Sequence, residues 1–429
     1  MTSRSADLLV GPGALRVVVP PPAHVDVLRK PAIAALDDPE AAVAAALERP
    51  LGTAPLRAVA KAAASACIVV CDVTRPVPNG LLLRPIIARL QAAGVPLDAI
   101  TVLIATGLHR PNLGDELRAV IADDWVLEHV RIVNHDARDA GHLVDLGVTP
   151  TRATPVAINR TFVDADIRIV TGLVEPHFMA GYSGGRKVVA PGVAGERTIR
   201  AFHADRFMAD PLASTCNLAR NPLHEEQLAI LTMLGPVFAV NTVIDERRRL
   251  AFVNAGEVVA SHDEAVAFAR TCSEVVCPAP YDLIVTSAAG HPLDATYYQS
   301  VKAMVTPLEV LADGGDLVVV SSCSEGLGSS DFRDAQRRLL TRGPSAFLDE
   351  LRAKSLADVD EWQTQMMLRA TRIGDVHLAT DGLGEADVTL TGVRPCHDVQ
   401  RFVEAYVRQR PDSRVALIPE GPYVVPRVQ

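Results

Sequence analysis

Three histidines, a lysine and an Asp–Arg pair stand where side chains can do chemistry, most of them just beyond short apolar runs. Asp72 and Arg75 follow the run ACIVVC at 66–71, in Asp72-Val73-Thr74-Arg75-Pro76-Val77-Pro78. The prolines stiffen this stretch and forbid an immediate helix. An arginine held there offers a planar fork that fits a carboxylate, and Asp72 can orient that arginine or a substrate hydroxyl. His109 follows the run ITVLIA at 100–105, in Thr106-Gly107-Leu108-His109-Arg110-Pro111. Gly107 permits a sharp turn, and an imidazole presented there is suited to moving protons near neutral pH. Each residue also has a plainer reading, as a surface Asp–Arg pair in a turn or a solvated histidine in a helix-capping loop.

The densest segment runs from Glu175 through Pro176, His177, Gly181, Ser183, Gly184, Gly185 and Arg186 to Lys187, followed by VVAPG at 188–192. Glycines and a serine ahead of an Arg–Lys pair can turn backbone N–H groups toward a phosphate. The segment is not a P-loop, because Val188 stands where a magnesium-binding hydroxyl is needed, so an ATPase is disfavoured. His203 lies on an expected helix beginning near Glu196, and a lone helical histidine is more often packed or solvated than a ligand. His224 reads as part of a helix N-terminus. Farther on, HPLDATYYQSVK at 291–302 puts Tyr298, Gln299 and Lys302 on one face of a helix start; an ordinary amphipathic helix is the bland alternative.

The elements that must position these groups alternate. Strands are expected at 15–20, 66–71, 100–105, 130–133, 167–171, 236–243, 282–287, 316–321, 386–390 and 414–418. Helices are expected at 39–48, 82–93, 114–122, 262–271, 302–312, 330–340, 345–354, 360–371 and 397–408. Continuous apolar strands between amphipathic helices imply an α/β fold with mainly parallel sheets flanked by helices. Ligands then bind beyond the carboxyl ends of the strands. A length of 429 residues suggests two domains, 1–275 carrying the glycine loop and 276–429, with the last segment free to return to the first. The active site is expected in the cleft between them.

Net charge is −9 and the basic residues are scattered, which speaks against nucleic acid as a partner. No apolar stretch reaches the ~18 residues of a membrane span and no secretion signal is visible, so a soluble, cytoplasmic protein is expected. Seven cysteines with no CxxC spacing read as reduced, buried thiols and give no zinc site.

Together these motifs resemble the nickel-pincer-dependent lactate racemase family, which includes related 2-hydroxyacid racemases and epimerases. The resemblance runs from Asp72 to about Gln365. Its most specific part is EPHFMAGYSGGRKVVAPG at 175–192; DVTRPVP at 72–78, TGLHR at 106–110, HPLDATYYQSVK at 291–302 and EWQTQ at 361–365 follow the family's order. It implies an isomerase that inverts C2 of a 2-hydroxy acid by hydride transfer to and from a nickel-pincer nucleotide. That cofactor, pyridinium-3-thioamide-5-thiocarboxylic acid mononucleotide, would be joined covalently to Lys187, with nickel ligated by His203. The resemblance makes His109 and His177 alternating general acid and base. Asp72, Thr74, Ser183, Gly184, Gly185, Tyr298 and Trp362 would lie by the cofactor. Arg75, Gln299 and Lys302 would hold the substrate. His291, with Ala289 and Gly290, replaces a glycine–tyrosine pattern frequent in the family and would sit by the substrate side chain. Lactate, malate, aryl and sugar acids all remain open as substrates. Cofactor-biosynthesis and nickel-insertion proteins are the implied partners, and a homo-oligomer is compatible with the sequence. Two alternatives stand beside this reading: a non-catalytic hydroxyacid-binding protein, and a different metal-dependent hydrolase or lyase, for which no HExxH or HxH cluster is present.

Overall fold

Apolar runs too continuous to face water on either side are buried in two parallel sheets, one in each unit of the computed structural model, which describes residues 3–429. One unit comprises residues 32–203 and 210–272; the other comprises the described residues up to Pro31 together with 204–209 and 273–429. The chain changes unit at residue 273. The N-terminal segment departs from expectation and belongs to the later unit, because His24–Val27 pairs in parallel with Arg414–Ile418. The last segment likewise stays in that unit, where Val425–Val428 pairs with Glu274–Cys277.

In the unit carrying the glycine loop, six strands lie in the order Leu250–Glu257, Phe238–Ile244, Ile167–Leu173, Ala66–Cys71, Ile100–Ala105 and Arg131–Asn134. Only the first of these runs antiparallel to its neighbour. Ile68, Val70, Val102, Ile104 and Ile169 are fully buried, packed with Leu82, Leu83 and Ile86 of helix Asn79–Ala92. From Ala66–Cys71 the chain proceeds to one side of the sheet, and from Ile167–Leu173 to the other. These two strands are neighbours, so the loops after them flank the topological switch point, where open α/β sheets place their ligands.

The second unit has a six-stranded, all-parallel sheet: Arg394–Pro395, Asp375–Ala379, Leu311–Val320, Tyr281–Ser287, Arg414–Ile418 and His24–Val27. One expected strand is wrong: residues 386–390 belong to helix Glu385–Leu390, and the strand is Asp375–Ala379. None of that helix's residues is buried, so its alternating pattern had no sheet face to match. Arg333 grips Asp387 with two bonds of 2.7 and 2.9 Å, and Gln336 donates to the carbonyl of Leu390 at 2.9 Å. The true strand was masked by His377, a buried polar residue that meets Asp316 at 2.8 Å.

No two of the seven cysteines are joined, and all but the half-buried Cys71 are buried. Among the described residues no helix is long and apolar enough to cross a membrane.

One glycine within a strand governs how close the glycine-rich loop can come. A Cβ on Gly172 would lie 2.9 Å from Gly184 Cα and 3.1 Å from Gly185 N. The Gly172→Ala variant should therefore lose about 1–3 kcal/mol of stability by overpacking, read as a lower urea midpoint. An unchanged midpoint would show that the loop moves aside freely.

Candidate active site

The loop after Ala66–Cys71 turns on Asp72. This carboxylate is buried, 5% exposed, and accepts from the Thr74 amide at 3.2 Å and the Thr74 hydroxyl at 2.6 Å. Its other oxygen lies 2.6 Å from His109 Nδ1, delivered by the loop after the adjacent strand. Burial acts to raise the Asp72 pKa, but hydrogen bonds from His109 and Thr74 and the charge of Arg75 outweigh it and hold the carboxyl below 3.8. Asp72 is therefore an acceptor, His109 Nδ1 carries the proton, and the ring's lone pair is on Nε2. The His109 side chain is 63% exposed, so it stands at the surface on a buried anchor. Thr74, expected beside a cofactor, spends its hydroxyl on Asp72.

Arg75 forms an ion pair with Glu175, both side chains about a quarter exposed. The sequence reading assigned Glu175 no role. Its backbone is fixed: the amide donates to Ser183 Oγ at 3.1 Å, and the carbonyl accepts from the Ser183 amide at 2.9 Å. Ser183 Oγ in turn donates to the Leu173 carbonyl at 2.7 Å. Between these contacts lies His177, whose Nδ1 accepts from the amides of Met179 at 3.3 Å and Ala180 at 3.1 Å. Its ring stacks on Phe178 with centroids 5.1 Å apart.

The glycines lead into a short helix, Arg186–Val189. Gly185 has φ +46°, and a Cβ there would lie 2.8 Å from His262 Cδ2. Its amide donates to Asn241 Oδ1 at 3.2 Å. Ser183 and Gly185 thus use their polar groups inside the protein, and in this conformation they shape the loop. Arg186, 2% exposed, donates to the carbonyls of Ala180 at 2.9 Å and Tyr182 at 3.3 Å and lies 2.8 Å from His262 Nε2. Asn241 and His262 escaped sequence reasoning. The only trace of Asn241 was one polar residue inside the run PVFAVNTV.

Lys187 is half-buried, one residue beyond this anchor. His203 closes helix Glu196–Phe202 and donates from Nδ1 to the Ile199 carbonyl at 2.8 Å, which puts the lone pair on Nε2. Burial pushes its imidazole down to about 4, with the Lys187 charge adding to the effect against the Ile199 hydrogen bond. The ring is neutral at physiological pH and near Lys187, the state a metal ligand needs. Burial likewise lifts the Cys71 thiol to about 11, while Arg75 and Lys187 both act on it in the opposite sense. The two cations are therefore felt at one point beneath the first loop.

In the second unit the expected residues follow strand Tyr281–Ser287. Helix Tyr297–Val305 carries Tyr298, Gln299 and Lys302 and is capped by Thr296. Trp362 Nε1 donates to the Tyr298 hydroxyl at 3.3 Å, and Gln363 donates to the Tyr298 carbonyl at 2.6 Å. Burial keeps the Tyr298 phenol protonated. Gln299 Oε1 is buried with no hydrogen-bond partner among the described residues. His291 is exposed, and its amide donates to the Gly11 carbonyl at 2.8 Å, tying this loop to the N-terminal hairpin.

Comparison with known proteins bears on the family and the fold. The family model described as the lactate racemase N-terminal domain matches residues 10–215, and that of the lactate racemase C-terminal domain matches residues 276–425. The lactate racemase of Thermoanaerobacterium thermosaccharolyticum is 30% identical over 395 residues, 89% of each chain. That of Lactiplantibacillus plantarum is 31% identical over 381 residues, 87% of this chain and 88% of the relative. The structure of the lactate racemase apoprotein from T. thermosaccharolyticum superposes with a TM-score of 0.89 at 29% identity, covering 99% of this chain and all of that one. A Thermotoga maritima protein shares the fold, with a TM-score of 0.67 at 17% identity over 94% of this chain.

The Asp72 pKa gives a prediction with a definite sign. A carboxyl depressed in the folded state contributes stability that is fully present above its unfolded value and lost as pH falls through the folded value. The stability advantage of the wild type over Asp72→Asn should hold above about pH 5 and shrink as pH drops below 3.8. Urea midpoints of both proteins across that range check it, and a difference independent of pH would contradict the Asp72–His109 contact.

Proposed function

The chain belongs to the lactate racemase family and is an isomerase, and we propose that it inverts C2 of a small 2-hydroxy acid, lactate being the first to test. The Asp72–His109 contact carries this reading. A buried carboxylate holding an exposed imidazole with its Nε2 lone pair outward is the arrangement of a general base that takes a hydroxyl proton. His177, on the neighbouring loop, is the second histidine offered to the substrate. Arg75 supplies the fork for the substrate carboxylate, aligned by Glu175.

The donor set also suits the family's nickel-pincer nucleotide. Among the described residues no group of three or more His, Cys, Asp or Glu side chains is disposed to hold a metal ion. What the chain provides is one neutral imidazole, His203, and one amine, Lys187, close enough for the lysine's charge to act on the ring. That fits a group bringing its own soft ligands and needing an anchor and one nitrogen donor. When bound, it would supply the acceptor and donor of hydride at C2. The chain would orient the acid, hold its carboxylate and move its hydroxyl proton.

Protein matured alongside cofactor-making and nickel-inserting enzymes should carry an adduct of nucleotide mass on the peptide containing Lys187, with about one nickel per chain, as a covalently held metal cofactor requires. Chiral chromatography should then show conversion of either lactate enantiomer to the mixture. Lys187→Ala should lose adduct and activity together. Loaded protein that inverts malate or an aryl acid but not lactate would move the substrate and keep the reaction; an unmodified Lys187, with a control racemase modified in parallel, would remove it.

A further inference from the structure

Asp72 and His109 come from different loops, and neither loop alone fixes their contact. Asp72 follows strand Ala66–Cys71 and His109 follows strand Ile100–Ala105, so their 2.6 Å approach requires the two loops to keep one register. The His109 side chain is 63% exposed, and packing around it does little to hold it. Three residues beyond it stands Asn112, only 2% exposed and given no role by the sequence reading. A buried amide is tolerated when its polar groups are met, and those of Asn112 all are. Its Oδ1 accepts from the amide of Val73, the residue after Asp72, at 3.1 Å, a bond that spans 39 residues of chain. Its Nδ2 donates to Glu116 Oε2 at 3.3 Å. An amide N–H can only donate and a carboxylate can only accept, so this side chain has one orientation. Arg110, next to His109, grips the same Glu116 carboxylate with two bonds of 2.7 and 2.6 Å. The Asn112 backbone amide donates to Asn134 Oδ1 at 2.8 Å, and its carbonyl accepts from Asn134 Nδ2 at 3.1 Å. Asn134 ends strand Arg131–Asn134, the neighbour of Ile100–Ala105. One asparagine thus joins the carboxyl ends of three adjacent strands, and its bonds reach the immediate chain neighbours of both Asp72 and His109.

We propose that Asn112 is the positioning residue of the Asp72–His109 pair: it locks the His109 loop to the Asp72 loop and so keeps the imidazole on its carboxylate. This rests on the 2-hydroxy-acid reaction proposed above, in which His109 moves the hydroxyl proton. Asn112 touches no reacting atom. It acts by keeping a base and its anchor within hydrogen-bonding reach, the condition that precedes any matching of proton affinities. Without the side chain, the Val73 amide loses its acceptor and Glu116 loses one of its donors. Each loop stays attached to its own strand, but the exposed ring can swing off Asp72. Arg75 is held by a different partner, Glu175, so the clamp bears on proton transfer more than on binding of the acid.

NMR of isotope-labelled histidine ring nitrogens, on the full-length, cofactor-free chain at neutral pH, reads the contact directly. Asp72 can only accept, so it holds the His109 proton on Nδ1. Wild type should show that single tautomer, and Asn112→Ala should show signals averaged between the two. Val43→Ala trims a fully buried side chain of helix Pro39–Glu48 elsewhere in the same unit. It should lower the urea midpoint and leave the His109 signals unmoved. If Asn112→Ala does not fold, Asn134→Ala, which removes both bonds to the Asn112 backbone, is read in its place. On loaded protein, Asn112→Ala should lower kcat by about 10- to 100-fold, as a small misplacement of a catalytic group does, with KM changed by no more than about twofold. The proposal is overturned if His109 keeps a fixed Nδ1 proton in the folded Asn112 variant, if Val43→Ala loosens it equally, or if kcat of the loaded variant is unchanged. A loaded wild type that inverts no 2-hydroxy acid would instead sink the reaction, and the ring signals would still decide whether Asn112 holds the pair.

Discussion

A buried arginine held by carbonyls and an imidazole, rather than by a carboxylate, organises the site. Burial pushes the Arg186 guanidinium down to about 9, so it remains charged at neutral pH inside the protein. Such a charge is tolerated only where acceptors surround it. The acceptors here are the carbonyls of Ala180 and Tyr182, both turned inward by the glycine-rich loop. His262 closes the other side, its Nε2 lying 2.8 Å from the guanidinium and 2.9 Å from the Ser183 carbonyl. Removing the guanidinium would leave buried carbonyls without donors. The loop therefore has one favourable path, and that path presents Lys187 as the next residue and the His177 turn a few residues before it.

The same economy governs the imidazoles. Asp72, a pair of amides and the Ile199 carbonyl each fix where the proton sits on His109, His177 and His203 respectively. None of these partners can reverse its role, so the nitrogen that faces it on each ring has a defined character before any ligand arrives. For a reaction in which the hydride chemistry belongs to a cofactor, placing protons and charges is the main task left to the chain.

Much of this was legible in the residues. Runs such as ACIVVC and ITVLIA became strands at the expected positions, because unbroken apolar stretches of that length have no other place to go. The post-strand rule then located Asp72, His109 and His177 without any contact information. Pairings across the chain were not legible. Arg75 looked like Asp72's partner through proximity in sequence, yet it reaches Glu175, a hundred residues later, and Asp72 turns to His109. Ser183 and Gly185 looked like groups for a phosphate, but Glu175, Leu173 and Asn241 take them. His377 hid a strand because its partner, Asp316, lies on the neighbouring strand of the sheet, and only pairing makes a buried imidazole acceptable there. The N-terminal strand joined the later unit for a similar reason, since a four-residue strand takes its place from whichever edge it covers.

The Arg75–Glu175 pair bears on how an anionic substrate is received. Glu175 neutralises Arg75 and Asp72 is ionised, so the first loop and its neighbour carry no surplus of positive charge apart from Lys187. If the cofactor is attached at Lys187 through an amide-type nitrogen, that charge disappears as well. A hydroxy-acid carboxylate would then be held by the geometry of a guanidinium already aligned by Glu175, more than by general attraction. Binding of that kind favours a planar, bidentate anion over a point charge and depends little on ionic strength. It would also restrain the acid if C2 becomes planar, when release would end the proposed reaction as an oxidation instead of an inversion.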